Sequence, residues 1–289
     1  MEQSLEVHTL SMSLQSAVNL ARQVFPRGWA PVLAAAAHYV PTLQQYRARL
    51  VDGTDMYLDL REYMCFGYFF HGGLPHEFGT LKLLRRTLGE GGVFVDVGAN
   101  IGYFTKLAST LVGKTGAVFA FEPMPAALKL LRMNSTQLSN VTIFPLALSI
   151  KKGTAIFYVR EKGDMSSLTH DSHARPVQIT VSTLDELLVE QPRMDLIKID
   201  VEGSELDVLR GGRMTLSRHR PIVYFELLPC FTAQRGIGLG TFEEFFEEFQ
   251  YVLRWINHSE SDPSLFGEEP STYVVAVPKE REKELGWSG

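Results

Sequence analysis

Hydrophobic positions fall in short continuous runs that alternate with segments of helical spacing along most of the chain. Val93, Phe94, Val95 and Val97 form one such run, and Ala117–Phe121 forms another. A strand buried on both faces of a parallel sheet has this continuous apolar character. Further strands are predicted at residues 141–146, 154–159, 177–181, 195–200, 221–226, 251–256 and 272–277, and helices at 78–88, 103–112, 126–138, 183–190, 205–209 and 242–249. This alternation predicts an α/β fold.

The part of the chain before residue 77 has a different pattern. Apolar residues recur at helical spacing, which predicts helices at 10–24, 31–39 and 42–51. We therefore expect an N-terminal helical extension over residues 1–76, a main domain over 77–278 and a mobile tail over 279–289. The extension could cover the sheet, pair with a second subunit in a homo-oligomer, or form a lid over a substrate.

Charge and composition exclude several classes of function. The formal net charge of −5 argues against a nucleic-acid groove, which requires clustered Lys and Arg. Cys65 and Cys230 are too few for a disulfide framework or a thiolate metal site. The apolar stretch at 29–40 is too short to span a bilayer, and the N-terminus lacks the pattern of a signal peptide. We therefore expect a cytoplasmic protein without a transmembrane segment.

A glycine-containing turn follows the strand that begins at Val93. A strand, such a turn and a helix together let the backbone approach a nucleotide-like ligand closely. The second strand ends at Glu122 and Pro123, and a carboxylate there can accept both hydroxyl hydrogens of a ribose. A dinucleotide turn would place glycines where Asn100 and Tyr103 stand, so a pyrophosphate would be crowded here.

Three stretches carry a resemblance to a known family. The pattern D-x-G-x-N-x-G resembles motif I of class I S-adenosylmethionine-dependent methyltransferases, and the runs DVGANIGYFT, AFEP and IKIDVEGSE are similar to the FkbM-type family in particular. The resemblance covers residues 77–226. It implies a Rossmann-like, mostly parallel seven-stranded sheet flanked by helices, with the last strand antiparallel. It also implies S-adenosylmethionine as the cofactor and O-methylation of a hydroxyl on a small molecule, sugar or natural product.

Ligands of open α/β sheets bind beyond the carboxyl ends of the strands, which places the predicted site along one edge. Asp96 is expected to bind the methionine amino group or to order the turn, and Glu122 to bind the ribose. Asn100 could merely take a left-handed turn conformation, and either role keeps it in the turn that faces the cofactor. The resemblance adds Glu77 as an acidic residue near the cofactor. The predicted cofactor-binding residues are Glu77, Asp96, Gly98, Ala99, Asn100, Gly102, Tyr103, Glu122, Pro123, Ala147 and Asp200.

The predicted catalytic residues are Asp200, Glu226 and Glu202, although Asp200 could instead form a structural ion pair with Lys198. The resemblance puts the IKIDVEG motif between cofactor and acceptor, and a carboxylate there can take the proton of a hydroxyl. Glu202 could instead favour the helix that follows by its charge. Alternative bases are the loop histidines His71, His76, His170 and His173.

No metal ion is predicted, because the sequence offers scattered carboxylates rather than a compact ligand motif. Two other functions stay open at this point. One is a nicotinamide-dependent oxidoreductase, which the crowded turn disfavours. The other is a catalytically silent cofactor-fold module that binds a partner through its N-terminal helices. The acceptor's identity depends on the N-terminal region and on residues 160–176.

Overall fold

The structure is a computed structural model that describes residues 30–73, 77–159, 174–259, 264–267 and 272–285. The chain divides into two compact units, residues 1–74 and residues 75–289. The domain bounds predicted from the sequence, after residue 76 and after residue 278, stay predictions. The predicted helix at 10–24 lies outside the described residues, as do His76, His170 and His173.

The first unit contains both helices and a β-hairpin. Its elements are α1 (Ala30–Ala37), a 3-10 helix (Pro41–Leu43), β1 (Tyr46–Arg49), β2 (Asp55–Leu58) and α2 (Tyr63–His71). The predicted helix at 42–51 is wrong. Buried Tyr46 and Ala48 alternate with exposed Arg47 and Arg49, which is the two-residue period of a strand, and β1 pairs antiparallel with β2.

The second unit is built on one large sheet. Its strands are, in chain order, β3 (Val93–Val97), β4 (Ala117–Phe121), β5 (Val141–Phe144), β6 (Ala147–Leu148), β7 (Gly153–Val159), β8 (Arg175–Ser182), β9 (Leu196–Ile199), β10 (Ile222–Glu226), β11 (Tyr251–Ile256), β12 (Phe266–Gly267) and β13 (Tyr273–Pro278).

The large sheet has the strand order β12-β11-β13-β10-β9-β3-β4-β5. Strands β5, β4, β3, β9 and β10 run parallel, whereas β13 is antiparallel to both β10 and β11. Apart from the two-residue edge strand β12, these are seven of the nine strands predicted from the sequence, and the last of them is antiparallel. The predicted class I methyltransferase sheet is thus confirmed.

The strands between β5 and β9 form a separate, smaller sheet of order β6-β8-β7. The predicted strand at 141–146 ends at Phe144, and the chain enters the smaller sheet at Ala147. Ala147, Ile179 and Val181 form a buried cluster of their own there. Ala147 therefore belongs to a separate small core and lies after the tip of β5.

Helices flank the large sheet, and the longer ones bury apolar residues against it. They are α3 (Phe78–Thr87), α4 (Tyr103–Val112), α5 (Pro125–Ser135), α6 (Leu184–Leu187), α7 (Glu205–Arg210), α8 (Arg213–His219), α9 (Pro229–Thr232) and α10 (Leu239–Glu247), with 3-10 helices at Ala233–Arg235 and Lys279–Leu285. In α10, the rings of Phe242 and Phe246 stack on Phe225 of β10, at centroid distances of 4.8 and 5.8 Å. Helix α8 has no counterpart among the sequence predictions.

Among the helices that the structure describes, none combines the length and the apolar character needed to cross a bilayer.

The main core lies between the sheet and its helices. Alternate residues of the parallel strands supply it, among them Val95, Val97, Ile197, Ile199 and Val223, which are all almost fully buried. These strands are therefore covered rather than exposed, as the continuous apolar runs predicted.

Candidate functional site

The carboxyl ends of four parallel strands meet at one edge of the large sheet. Val97 of β3 is aligned with Phe121 of β4 and with Ile199 of β9, and Ile199 is aligned with Phe225 of β10. The residues that come next in each strand or turn are Gly98, Glu122, Asp200 and Glu226. The register therefore brings these predicted site residues to one edge, although they are far apart in the sequence.

The glycine turn packs directly against the end of β9. Gly98 has a φ of 76°, and a Cβ atom at this position would lie 1.9 Å from the carbonyl oxygen of Asp200. A side chain is thus excluded both by conformation and by space. Asn100 has a φ of 53°, which confirms the left-handed turn conformation considered from the sequence. The turn can therefore present its backbone at the sheet edge without a side chain in between.

Glu122 ties the turn to the tip of β4. One of its carboxylate oxygens accepts the backbone N–H of Asn100 at 2.9 Å, and the other accepts that of Met124 at 2.8 Å. Burial raises the pKa of Glu122 to about 7, although both hydrogen bonds favour the charged form. The carboxylate is thus held in a fixed orientation, and each oxygen keeps a second lone pair for a ligand hydroxyl.

Asp96 lies beneath the turn and is completely buried. Its Oδ2 accepts a hydrogen bond from the hydroxyl of Thr105 at 2.6 Å, and its Oδ1 lies 3.5 Å from Nζ of Lys198. Of the two roles predicted for Asp96, this burial supports the ordering of the turn. Thr105 belongs to α4, so the same contacts fix the helix that follows the turn.

Lys198 is buried in β9 between two carboxylates. Its Nζ lies 3.2 Å from Oδ2 of Asp200 and donates to the carbonyl of Gly98 at 3.3 Å. Burial alone would lower the pKa of Lys198, but the charges of Asp200 and Asp96, a hydrogen bond to Asp200 and the charge of Glu77 together raise it above its ordinary value. The lysine therefore stays protonated at the centre of the edge.

The loop after Asp200 is ordered by an acid that the sequence analysis missed. Glu205 is buried at the start of α7, and its carboxylate accepts the backbone N–H groups of Gly203 at 3.0 Å and Val201 at 3.3 Å. Burial raises the pKa of Glu205 to about 7. The signal in the sequence was an acid two residues after a glycine, at the first position of a helix.

Three half-buried carboxylates form a cluster at the end of β9 and β10. One oxygen from each of Asp200, Glu202 and Glu226 lies within 4.8 Å of the other two. Carboxylates that are scattered in the sequence therefore converge at the sheet edge, where Asp200 and Glu226 were expected at neighbouring strand ends. The sequence separates Glu226 from the other two, but β10 pairs directly with β9. Such a cluster can accept hydrogen bonds from hydroxyl groups or attract a cation, because carboxylates supply only acceptor oxygens.

Tyr273 stands beside this cluster on β13, in register with Glu226. Its hydroxyl donates to Glu226, and burial together with the charge of Glu226 raises the pKa of the tyrosine well above its ordinary value. The ring stacks on Tyr224 of β10 with the two planes 5° apart and the centroids at 6.1 Å. The sequence analysis missed Tyr273, because only the pairing of β10 with β13 brings it to the site.

The other predicted residues differ in how the structure places them. Glu77 is buried at the start of α3, and its charge raises the pKa of both Lys198 and Tyr273, so it acts on the same edge. Ala99 packs its side chain against Leu128 and Leu131, its N–H donates to the carbonyl of Phe121 at 3.0 Å, and its own carbonyl accepts the N–H of Gly102 at 2.9 Å. Gly102 caps α4, Tyr103 is buried in that helix, Pro123 is half-buried, and His71 is exposed. Cofactor contact by these residues stays a prediction.

Comparison of the sequence with known proteins identifies a family and several relatives. Residues 96–260 match the model of the methyltransferase FkbM domain family. The hexuronic acid methyltransferase AglP of Haloferax volcanii is 32% identical over 142 residues, which are 48% of this chain and 57% of AglP. The 2-O-methyltransferase NoeI of Sinorhizobium fredii is 26% identical over 216 residues, which are 67% of this chain and 88% of NoeI. The match thus spans little more than half the length of AglP.

Among solved structures, the comparison found the methyltransferase FkbM of Methylobacillus flagellatus. Its sequence is 18% identical, and the superposition has a TM-score of 0.45 while covering 86% of this chain and 60% of that chain.

Proposed function

Because the chain belongs to the methyltransferase FkbM domain family, we propose that it transfers the methyl group of S-adenosylmethionine to a hydroxyl oxygen of a sugar or another small molecule. The observation that carries the proposal is the meeting of three strand tips. The turn at Gly98, the carboxylate of Glu122 and the acidic cluster around Asp200 all lie at one edge of the sheet. Cofactor and acceptor sites would therefore adjoin.

The residues at the edge fit S-adenosylmethionine. Glu122 presents a buried carboxylate, oriented by two backbone N–H groups, at the strand tip where a ribose is expected. The backbone of Gly98 and Asn100 would bound the site for the amino-acid part, and Asp96 would order that backbone from below. When bound, this cofactor supplies a methyl group that a positive sulfonium already makes electrophilic.

The protein's own residues then have two tasks. The first is to hold the acceptor oxygen in line with the bond to be broken, because alignment supplies much of the rate acceleration in such a transfer. The second is to take the hydroxyl proton as the oxygen becomes a nucleophile. We assign both tasks to the acidic cluster of Asp200, Glu226 and Glu202, since its oxygens converge within 4.8 Å. Tyr273 orients Glu226 by its hydrogen bond.

The chemistry of the acceptor is inferred from the relatives and the cluster together. AglP is named for hexuronic acids, which are sugar acids, and NoeI is named for methylation at a 2-O position. Converging carboxylates suit vicinal hydroxyls, which can donate one hydrogen bond to each acid. We therefore place sugars and hydroxylated natural products first among acceptors, in a cytoplasmic setting.

Calorimetry and a methyl-transfer screen test this proposal. The wild-type chain should bind S-adenosylhomocysteine, and it should show no comparable binding of NAD, because Asn100 and Tyr103 stand where a dinucleotide turn has glycines. Transfer of a labelled methyl group should then be measured over a panel of neutral sugars, hexuronates and phenolic metabolites. Micromolar NAD binding without any response to S-adenosylhomocysteine would sink the methyltransferase assignment.

The screen needs a control that separates transfer from non-enzymatic methylation. Asp200→Asn serves, because it keeps the shape of the side chain and should keep cofactor binding while losing transfer. An acceptor that is methylated equally with and without the wild-type chain is not a substrate, whereas equal methylation by wild type and Asp200→Asn would show that transfer does not need Asp200. Transfer to phenols alone, with no sugar accepted, would contradict the carbohydrate preference.

A further inference from the structure

Lys198 is a buried cation that the proposed chemistry does not use. It lies within β9, directly opposite Asp96 of β3 in the sheet register, and its side chain is only 3% exposed. A lysine in such a place is strongly disfavoured unless its charge is paired and hydrogen-bonded. Its presence in an otherwise apolar strand, LIKI, therefore calls for a reason beyond packing.

The ammonium group of Lys198 contacts both the glycine turn and the acidic cluster. It lies 3.3 Å from the carbonyl oxygen of Gly98 in the cofactor turn and 3.2 Å from Oδ2 of Asp200 in the acidic cluster. Oδ1 of Asp96 lies 3.5 Å away, and among the described residues this oxygen accepts no hydrogen bond. An ammonium has three donors, and these three oxygens surround it. The ring of Phe104 in α4 lies 5.4 Å from Nζ and covers it on another side.

The distances show that Lys198 is more than a counter-ion for Asp96. Nζ is closer to Asp200 and to the Gly98 carbonyl than to Asp96. The two shorter contacts join the turn after β3 to the end of β9, where the backbone of Gly98 already packs against the Asp200 carbonyl. Without a cation at this place, two carboxylates and two carbonyl oxygens would face one another across the same junction.

We propose that Lys198 is a positioning residue that fixes the cofactor turn and the Asp200 carboxylate relative to each other. This inference rests on the proposed function, because it assigns the turn to the cofactor and Asp200 to the acceptor. Lys198 itself touches neither ligand. It sets the distance between the methyl donor and the residue that aligns the acceptor, so its loss should affect both cofactor affinity and turnover.

The binding test uses S-adenosylhomocysteine as the probe and four variants, which are Lys198→Met, Lys129→Met, Asp96→Asn and the double variant Asp96→Asn/Lys198→Met. Lys198→Met keeps the apolar stem and removes the ammonium group, whereas Lys129→Met makes the same charge change at an exposed position of α5. Because Lys198→Met leaves Asp96 buried without a cation, the double variant Asp96→Asn/Lys198→Met removes both charges. Thermal unfolding first establishes that each variant is folded, and calorimetry then gives the affinity.

We expect Lys198→Met to bind S-adenosylhomocysteine at least about tenfold more weakly than wild type, and Lys129→Met to bind it normally. The decisive comparison is between the double variant and Asp96→Asn alone. A mere counter-ion of Asp96 has no further role once that acid is neutral. Equal affinity in these two proteins would therefore overturn the proposal, and a further loss of about tenfold in the double variant supports it.

Turnover gives a second readout once an acceptor is known. If Lys198 acts through Asp200, then Lys198→Met and Asp200→Asn should each lower kcat, and their combination should lower it no further than Asp200→Asn alone. Independent, multiplying losses would show that Lys198 does not act through Asp200. A wild-type chain that fails to bind S-adenosylhomocysteine would refute the proposed function, whereas binding with equal affinities in the comparison above would refute only the role of Lys198.

Discussion

The proposed contact of Glu122 with the ribose predicts how cofactor binding depends on pH. Its pKa is raised by burial from the ordinary 4.5 to about 7 in the ligand-free protein. The ionised carboxylate is the form that accepts two ribose hydroxyls, since the protonated form would turn one oxygen into a donor. Affinity for S-adenosylhomocysteine should therefore be full above pH 7 and fall as the pH falls through that value.

The size of the effect follows from the ionised fraction. A carboxyl group with a pKa of about 7 is roughly nine-tenths ionised at pH 8 and roughly one-tenth ionised at pH 6, so the affinity should drop about tenfold between them. At pH 8, Glu122→Gln should lose a charge-assisted hydrogen bond worth about 1.5–3 kcal/mol, which is about ten- to a hundredfold in affinity. Glu122→Ala should bind S-adenosylhomocysteine more weakly still, because the N–H groups of Asn100 and Met124 also lose their acceptor.

Calorimetric titrations of wild type, Glu122→Gln and Glu205→Gln between about pH 6 and about pH 8 test this reasoning. Glu205 is the matched control, because it is also buried and its pKa is also raised to about 7, but it lies at the start of α7. Glu122→Gln should bind weakly with little pH dependence, and Glu205→Gln should keep the wild-type slope. The assignment fails if the slope persists in Glu122→Gln or disappears in Glu205→Gln.

Four further outcomes are expected. Gly98→Ala should destabilise the fold by 2 kcal/mol or more (order of magnitude) in chemical denaturation, because its Cβ would meet the Asp200 carbonyl, while Gly89→Ala, with no atom within 4 Å, should be nearly neutral. Asp200→Asn and Glu226→Gln should each lower turnover about a hundredfold and leave S-adenosylhomocysteine binding intact; full activity in both would remove the acids from the reaction. A chelator should leave wild-type turnover unchanged, because Lys198 already neutralises one acid of the cluster; loss of activity that magnesium restores would refute this. The pKa of Glu205 is raised from 4.5 to about 7, so the folded protein binds this proton more tightly than the unfolded chain does. The resulting stabilisation of the ligand-free protein is full below pH 4.5 and is lost as the pH rises through 7, by up to about 3 kcal/mol. Denaturation curves of Glu205→Gln should show a smaller loss of unfolding free energy over the same pH range.

The large sheet could be predicted from the sequence because its strands are buried on both faces. Their continuous apolar runs, such as VFVDV and AVFAF, have few alternative interpretations when glycine turns and amphipathic helices separate them. The hairpin of the first unit could not be predicted in the same way. Four residues with alternating burial at Tyr46–Arg49 are too few to establish a period, and residues 42–51 also allow helical spacing.

The sequence could predict which residues lie at the end of a strand, but it could not predict the side-chain contacts that depend on how the strands pair. Glu122 and Gly98 follow strands directly, so their place at the edge follows from the topology rule. The acidic cluster and the environment of Lys198 depend on register instead. Asp96 and Lys198 are paired across β3 and β9 although about a hundred residues separate them, and Tyr273 meets Glu226 only because β13 runs antiparallel beside β10. No local pattern in the chain carries these pairings.

The charges at the sheet edge give an argument for the methyl donor that is independent of the glycine spacing. Lys198 is a buried cation among the described acids of this edge, which are Glu77, Asp96, Glu122, Asp200, Glu202 and Glu226. The pyrophosphate of a dinucleotide would bring two more negative charges to the same place, and each like-charged pair at contact distance costs on the order of a few kcal/mol near a protein surface. The sulfonium and ammonium groups of S-adenosylmethionine are positive and reverse the sign of that interaction. The site therefore discriminates by repulsion as well as by contact. It follows that neutralising Asp200 or Glu226 should weaken the preference for a cationic methyl donor over its neutral product, even where the shape of the turn is unchanged.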